Sequence, residues 1–321
     1  MATSSTGETL NLGVVVGFDG SPHSQNALRW AARAATRRNT PLTVTSAYLF
    51  PYSDYLHSVA PGPDDDVSRR IADGMLAEAR QLLEDDGHQG EVDYLAIIGD
   101  ATAGLVSVSA DAELLVVGRR GLGRFWGRIL GSVAAALPAY AHCPTVVVHS
   151  PEDVERRAGD DAAIPEPARD TRAICVGVDS SAHARAAAIT AAEEAKRLGV
   201  SLEVVHAQPP FTGTSSVWYL QQHEDLEQQT TQNTLEFLGE EIEFLQEQVP
   251  GVEIKPTVMR GAPAEAMIEC SQRSQLTVLG TRGRGGFASL LLGSVSRTTL
   301  EHARGTVMVV PLPSDDSKQT Q

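Results

Sequence analysis

Two stretches of this chain set glycine, serine and arginine at spacings suited to gripping an anion. Residues 118–132 read GRRGLGRFWGRILGS and residues 280–294 read GTRGRGGFASLLLGS. Both follow one pattern: glycine, two residues, glycine, nine residues, then glycine and serine. Each follows an apolar run (114–117, LLVV; 276–279, LTVL) that reads as a buried strand, and each leads into a helical pattern opened by the serine. A glycine-rich turn admits a ligand closely, and a helix's first turn offers N–H groups that have no partner within it. Phosphate is the anion that such a cradle suits best. Arg119, Arg120, Arg124 and Arg128 stand in the first stretch, Arg282 and Arg284 in the second. They are read as phosphate contacts, against the plainer reading that loops of an arginine-rich, lysine-poor chain carry arginines anyway.

About 100 residues before each stretch, an aspartate ends another apolar run: Asp19 in VVVGFDGS (14–21) and Asp179 in ICVGVDSS (174–181). A carboxylate at a strand end can accept hydrogen bonds from a polar ligand. The plain alternative is a turn or helix-capping residue, although Ser21 and Ser181 could cap instead. Ser132 and Ser294 could likewise be simple caps, and Gly121 and Gly283 simple turn residues. His23 and His183 recur beside the aspartates and read as surface histidines; His142 and His302 recur at the end of each last helix, where the helix dipole favours them. The run at 64–66 (DDD) reads as a solvated helix start.

The chain has 321 residues and a formal net charge of −15, which disfavours nonspecific nucleic-acid or anionic-membrane binding. No apolar run is long enough to span a bilayer, and the first ten residues lack the charged start and apolar core of a signal peptide. Three scattered cysteines, Cys143, Cys175 and Cys270, argue against a disulfide framework or zinc site and for a reducing cytoplasm. No metal-ligand set is expected in the protein itself.

The elements that must position these residues come in two copies. In the first, strands are expected at 12–18, 41–49, 91–98, 114–117 and 144–148, with helices after Asp19, at about 64–86, after Gly99-Asp100 and after Ser132. The run at 12–18 is too continuously apolar for an exposed position and reads as a central parallel strand, whereas 91–98 alternates as nearer an edge. The order returns from residue 174, with Gly261 answering Gly99, a long helix from about residue 220 carrying Leu235, Leu238, Ile242, Leu245 and Val249, and a closing strand at 306–310. The division is a disordered start (1–10), a first domain (11–150), a charged linker (151–171), a second domain (172–312) and a tail (313–321). Five strands alternating with four helices mean an α/β, doubly wound, Rossmann-like domain with a five-stranded parallel sheet of order 3-2-1-4-5, twice in tandem. Ligands of such sheets bind at the carboxyl ends of the strands where the order reverses. If the first and fourth strands are neighbours there, the aspartate and the glycine stretch face one crevice.

At these residues the chain resembles the universal stress protein family, in its tandem-domain, ATP-binding branch, over all but the linker and termini. The family's signature, G-x2-G-x9-G-S/T, is met by Gly118, Gly121, Gly131 and Ser132 and again by Gly280, Gly283, Gly293 and Ser294. The resemblance implies that Asp19 and Asp179 sit by ribose and adenine, and that the backbone at Ala47 and Ala207 contacts adenine. It implies that the glycine loops, with Ser132, Val133, Ser294 and Val295, hold the phosphates of ATP with magnesium. Arg120 and Arg282 join these sets as phosphate contacts. The first motif departs from the family form by its bulk at Arg119, Phe125 and Trp126. The family also implies pairing of last strands between domains, hence halves paired with each other, a homodimer, and a regulatory protein partner.

The function expected is a nucleotide-dependent regulator or sensor of stress, with up to two ATP per chain. A slow ATPase or another ATP-using enzyme of the same fold is the alternative, and a scaffold with vestigial sites a third reading. Against an enzyme, there is no Walker A loop, no nucleophile elbow and no zinc spacing, and the first half contains no lysine.

Overall fold

The computed structural model describes residues 11–48, 63–121, 130–149, 170–208, 217–284 and 291–312. Arg124, Phe125, Trp126, Arg128 and most of the linker lie outside them, as do the side chains of Trp218 and Tyr219. The chain divides into two compact units, Met1–Asp153 and Val154–Gln321.

In the first unit the strands are β1 (Val14–Gly17), β2 (Leu42–Tyr48), β3 (Val92–Ile98), β4 (Leu114–Gly118) and β5 (Thr145–Val148). Between them run α1 (Pro22–Arg38), α2 (Pro63–Asp85), α3 (Ala101–Val108) and α4 (Ser132–Tyr140). The strands lie parallel in the order β3-β2-β1-β4-β5. The doubly wound reading and its strand order are thus both observed. Val14, Val15 and Val16 are wholly buried at the centre, while β3 alternates half-buried and exposed residues at the edge. Helix α1 lays its Ala27, Leu28, Ala31 and Ala35 face on β1 and β4. Burying a leucine such as Leu28 contributes about 1.5–3 kcal/mol, so this stripe fixes where the helix begins as well as where it rests. Ser21 caps it by accepting from the Ser24 N–H at 3.2 Å, with Pro22 at its first position. Asn39 closes it in a left-handed conformation, φ 53°.

The second unit repeats the plan. Its strands are β6 (Ile174–Gly177), β7 (Leu202–Gln208), β8 (Ile254–Arg260), β9 (Leu276–Gly280) and β10 (Val307–Val310). Its helices are α5 (Ala182–Leu198), α6 (Val217–Gln248), α7 (Pro263–Arg273) and α8 (Ser294–His302). The order β8-β7-β6-β9-β10 is again parallel. Helix α5 packs on β6 and β9, and α7 packs on β6 and against α8. The long helix departs from its expected face: Leu235 is 50% exposed, while Thr234, Leu238, Glu241 and Leu245 point inward.

Candidate functional site

Strands β1 and β4 are direct neighbours, Val14 pairing with Leu114 and Val16 with Val116. Their carboxyl ends therefore carry Asp19 and the first glycine stretch to one place. Asp19, Ala47, Gly118, Arg120, Gly121, Gly131, Ser132 and Val133 all line a single cleft of ≈ 520 Å³. Phe18, Leu105 and Val117 supply apolar wall. The volume and the pairing of apolar wall with a few polar groups match those of a small-molecule or cofactor site. Thr45 and Leu105 join this cleft without having been singled out from the sequence. Thr45 pairs with Gly17 of β1, and Leu105 stands on α3, whose start Asp100 caps by accepting the Ala103 N–H at 2.9 Å; that cap was the one signal legible in the sequence.

The glycines make room for the protein's own atoms. A methyl group on Gly118 would stand 2.6 Å from the backbone of His23, so this glycine lets the first turn of α1 pass over the end of β4. A methyl group on Gly121 would collide with Asp19 Oδ2. On Gly131 it would press on Arg119 O and Arg120 Cα at 3.3 Å, where the helix start crosses the strand end. The second copy keeps all three relations: Gly280 with His183, Gly283 with Asp179, and Gly293 with Thr281 and Arg282. Glycine spacing therefore builds the seat, with each missing side chain replaced by the protein's own atoms.

What the seat leaves open is the start of the last helix. Gly131 and Gly293, not the serines, are the N-caps of α4 and α8, and neither provides a side-chain hydrogen bond to the first turn. Ser132 and Ser294 are first helical residues. Ser132, Val133 and Ala134, the first turn of α4, line the cleft, and the N-cap supplies their amides with no side-chain acceptor. Such amides, with the positive end of the helix dipole, are suited to an anion. A triphosphate would fit this donor set.

The aspartates are turn-forming as well as cleft-lining. Asp19 Oδ1 accepts the Ser21 N–H and Asp179 Oδ1 the Ser181 N–H, both at 3.1 Å. In the second copy Asp179 Oδ2 also accepts the Arg284 N–H at 2.8 Å, tying the aspartate to the glycine loop. The serines take the capping role, with Ser181 accepting from the Ala184 N–H at 3.1 Å. Ala207 stands beside Met259 in the β7–β8 register, as Ala47 stands beside Ile97. Val295 follows Ser294 in the first turn of α8.

His23 and His183 are half-buried. Loss of hydration, reinforced by the charge of Arg282 and opposed by Asp179, holds the His183 imidazole below its ordinary 6.5. His302 ends α8, but His142 falls beyond the Ala141 cap of α4. Among the described residues no group of three or more histidine, cysteine or carboxylate side chains is arranged to hold a metal, and no helix is long and apolar enough to cross a membrane.

A family model described as "Universal stress protein family" matches residues 13–149 and 171–311. "Universal stress protein Rv2623" of Mycobacterium tuberculosis is 36% identical over 304 residues, covering 93% of this chain and 96% of its own length. "Universal stress protein Rv1996" of the same organism is 31% identical over 331 residues, covering 95% and 96%. A universal stress protein structure from Archaeoglobus fulgidus covers 93% of this chain and 96% of its own at TM-score 0.60 and 18% identity, a likeness of fold.

Proposed function

The chain belongs to the universal stress protein family, with two tandem family domains, and from that premise we propose that each half binds ATP and that the protein is a nucleotide-dependent regulator of the stress response. One observation carries this reading. All eight residues expected of the first site line one cleft, at which a helix starts without a side-chain cap. In this reading Asp19 and Asp179 accept the ribose hydroxyls, the backbone at Ala47 and Ala207 meets adenine, and the first turns of α4 and α8 receive the phosphates. Arg120 and Arg282 offset phosphate charge in a protein of net charge −15. Magnesium bound with the triphosphate would neutralise part of the same charge.

A regulator fits better than an enzyme because, among the described residues, the groups around the cleft position and neutralise but offer no nucleophile–base pair. Slow hydrolysis remains the alternative, since positioning alone accelerates a reaction. The proposal includes pairing of the two halves, a homodimer, a regulatory protein partner and a cytoplasmic location. Denaturing the purified protein and assaying the supernatant should release adenine nucleotide. Absence of nucleotide there, with no binding at millimolar ATP, defeats the reading. Phosphate release abolished by Asp19→Ala or Asp179→Ala would move the protein to the enzymes.

A further inference from the structure

Strand β3 ends the strand order of the first unit as β8 ends that of the second, and their outward edges are built differently. The Leu42 N–H donates to Glu91 O and the Gly99 N–H to Tyr48 O, and the register between them runs without a break from Leu42–Val92 to Tyr48–Ile98. Backbone groups alternate in direction along a strand, so the odd-numbered residues of β3 bond β2. Val92, Tyr94, Ala96 and Ile98 therefore turn their N–H and C=O groups outward, and no described strand pairs with that row. On β8 the same count, from Glu253 to Gly261, turns Ile254, Pro256, Val258 and Arg260 outward. Pro256 has no N–H to offer, and Lys255 and Arg260 are exposed; proline and charge are the usual devices that stop an edge from pairing. Strand β3 lacks both devices: Tyr94 stands where β8 has Pro256, and Ile98 where it has Arg260. Its Leu95 and Ile98 are 37% and 57% exposed, and Asp93 is its single charged residue.

We propose that the β3 edge docks a second copy of this chain, the two β3 strands pairing antiparallel about a twofold axis at Leu95. A twofold contact must be self-complementary, and this strand is. With Leu95 opposite its own copy, Tyr94 meets Ala96 of the second copy and Val92 meets its Ile98. Every outward-turned residue of both strands then exchanges a pair of backbone hydrogen bonds. The cross-strand neighbours in this register include Leu95 on Leu95 and Val92 on Ile98, apolar pairs that stabilise a sheet, and no charge opposes a like charge. Sliding the strands until Asp93 faces Asp93 sets two carboxylates together and carries Ile98 past the end of its partner strand, so the sequence selects the Leu95 register. An antiparallel strand on the edge of a parallel sheet is a common extension of this kind of fold. The seats at the ends of β1 and β4 take no part, so the interface stands or falls apart from the nucleotide reading. It gives the homodimer a surface other than the last strands.

The test follows the mass of the full-length chain by sedimentation equilibrium over a range of concentrations, and the wild type should be a dimer. Ala96→Pro removes an outward donor from each copy at a kind of position where β8 already carries Pro256. Ile98→Lys charges the edge at an exposed residue, where the fold has nothing to lose. Each should raise the dissociation constant of the dimer by at least about tenfold. A Leu95→Cys chain should link to its copy on oxidation, because a non-hydrogen-bonded antiparallel pair brings Cα atoms to about 4.5 Å, within disulfide reach. An Asp93→Cys chain should stay unlinked, its two copies standing about 13 Å apart along the strands. The native cysteines are all buried and do not confuse the readout. A monomeric wild type overturns the proposal. So does a dimer that neither Ala96→Pro nor Ile98→Lys weakens, which would place the contact on another surface, and so does linkage through Asp93→Cys in place of Leu95→Cys.

Discussion

Ser180 holds a left-handed backbone, φ 63°, where the first unit has Gly20 at φ 77°. That conformation costs an L-residue about 1–2 kcal/mol, and the turn persists because Asp179 accepts the Ser181 N–H across it. Ser180→Gly should raise stability by about 1 kcal/mol, read from the urea midpoint; a fall would mean that the serine side chain contributes more than the strain costs. His183 gives a pH dependence of definite sign. Its folded value lies below 6.5 through loss of hydration and Arg282. Below 6.5 the unfolded chain takes up a proton that the folded chain resists, so stability is complete above 6.5 and is lost as pH falls towards the folded value. Wild type should therefore lose more stability than His183→Gln over that interval; parallel losses would exclude the assignment. His88, held low by burial, titrates in both proteins and cancels. The sequence made the aspartates and glycines legible because they recur. It could not show that His23 packs against Gly118, since a missing side chain looks the same whether a ligand or a neighbouring residue fills the space.

Helix α6 shows where periodicity stops being sufficient. Apolar spacing points to Leu235, yet the helix turns so that Glu241, 1% exposed, faces inward to meet the guanidinium of Arg185 on α5. Arg185 Nη2 reaches Glu241 Oε1 at 2.6 Å, and the same guanidinium lies 5.0 Å from the Phe244 ring. A buried carboxylate with a partner outweighs one leucine left in water, and no local pattern announces a partner 56 residues away. Arg185→Ala should destabilise the second unit by about 2 kcal/mol, because it strands the carboxylate, while the half-exposed arginine keeps the cost below that of a fully buried pair. Glu241→Leu removes the charge with its need for a partner and should be nearly neutral or stabilising. Equal losses in the two variants, by urea unfolding, would sink this account. The strands and remaining helices were legible because continuous apolar runs and caps such as Ser21-Pro22 are local signals.

For the molecule as a whole, the duplication turns one hypothesis into two separable ones. Each unit has its own five parallel strands, its own strand-order reversal and its own glycine seat, so each should bind nucleotide by itself. Gly121 and Gly283 are the positions to probe, because a methyl group at either collides with the aspartate carboxylate of the same unit. In the second unit that carboxylate is held by the Ser181 and Arg284 amides, and displacing it unseats the loop without touching the buried core. Titration of Mg-ATP should give two equivalents for the wild type, one each for Gly121→Ala and Gly283→Ala, and none for the double variant, with unfolding midpoints little changed. The bulk at Arg119, wholly buried where the second copy has Thr281, predicts that the two equivalents differ in affinity. If either single substitution removes both equivalents, the seats are coupled. If neither removes any, the nucleotide lies elsewhere and the glycine spacing describes only how strand, loop and helix pack.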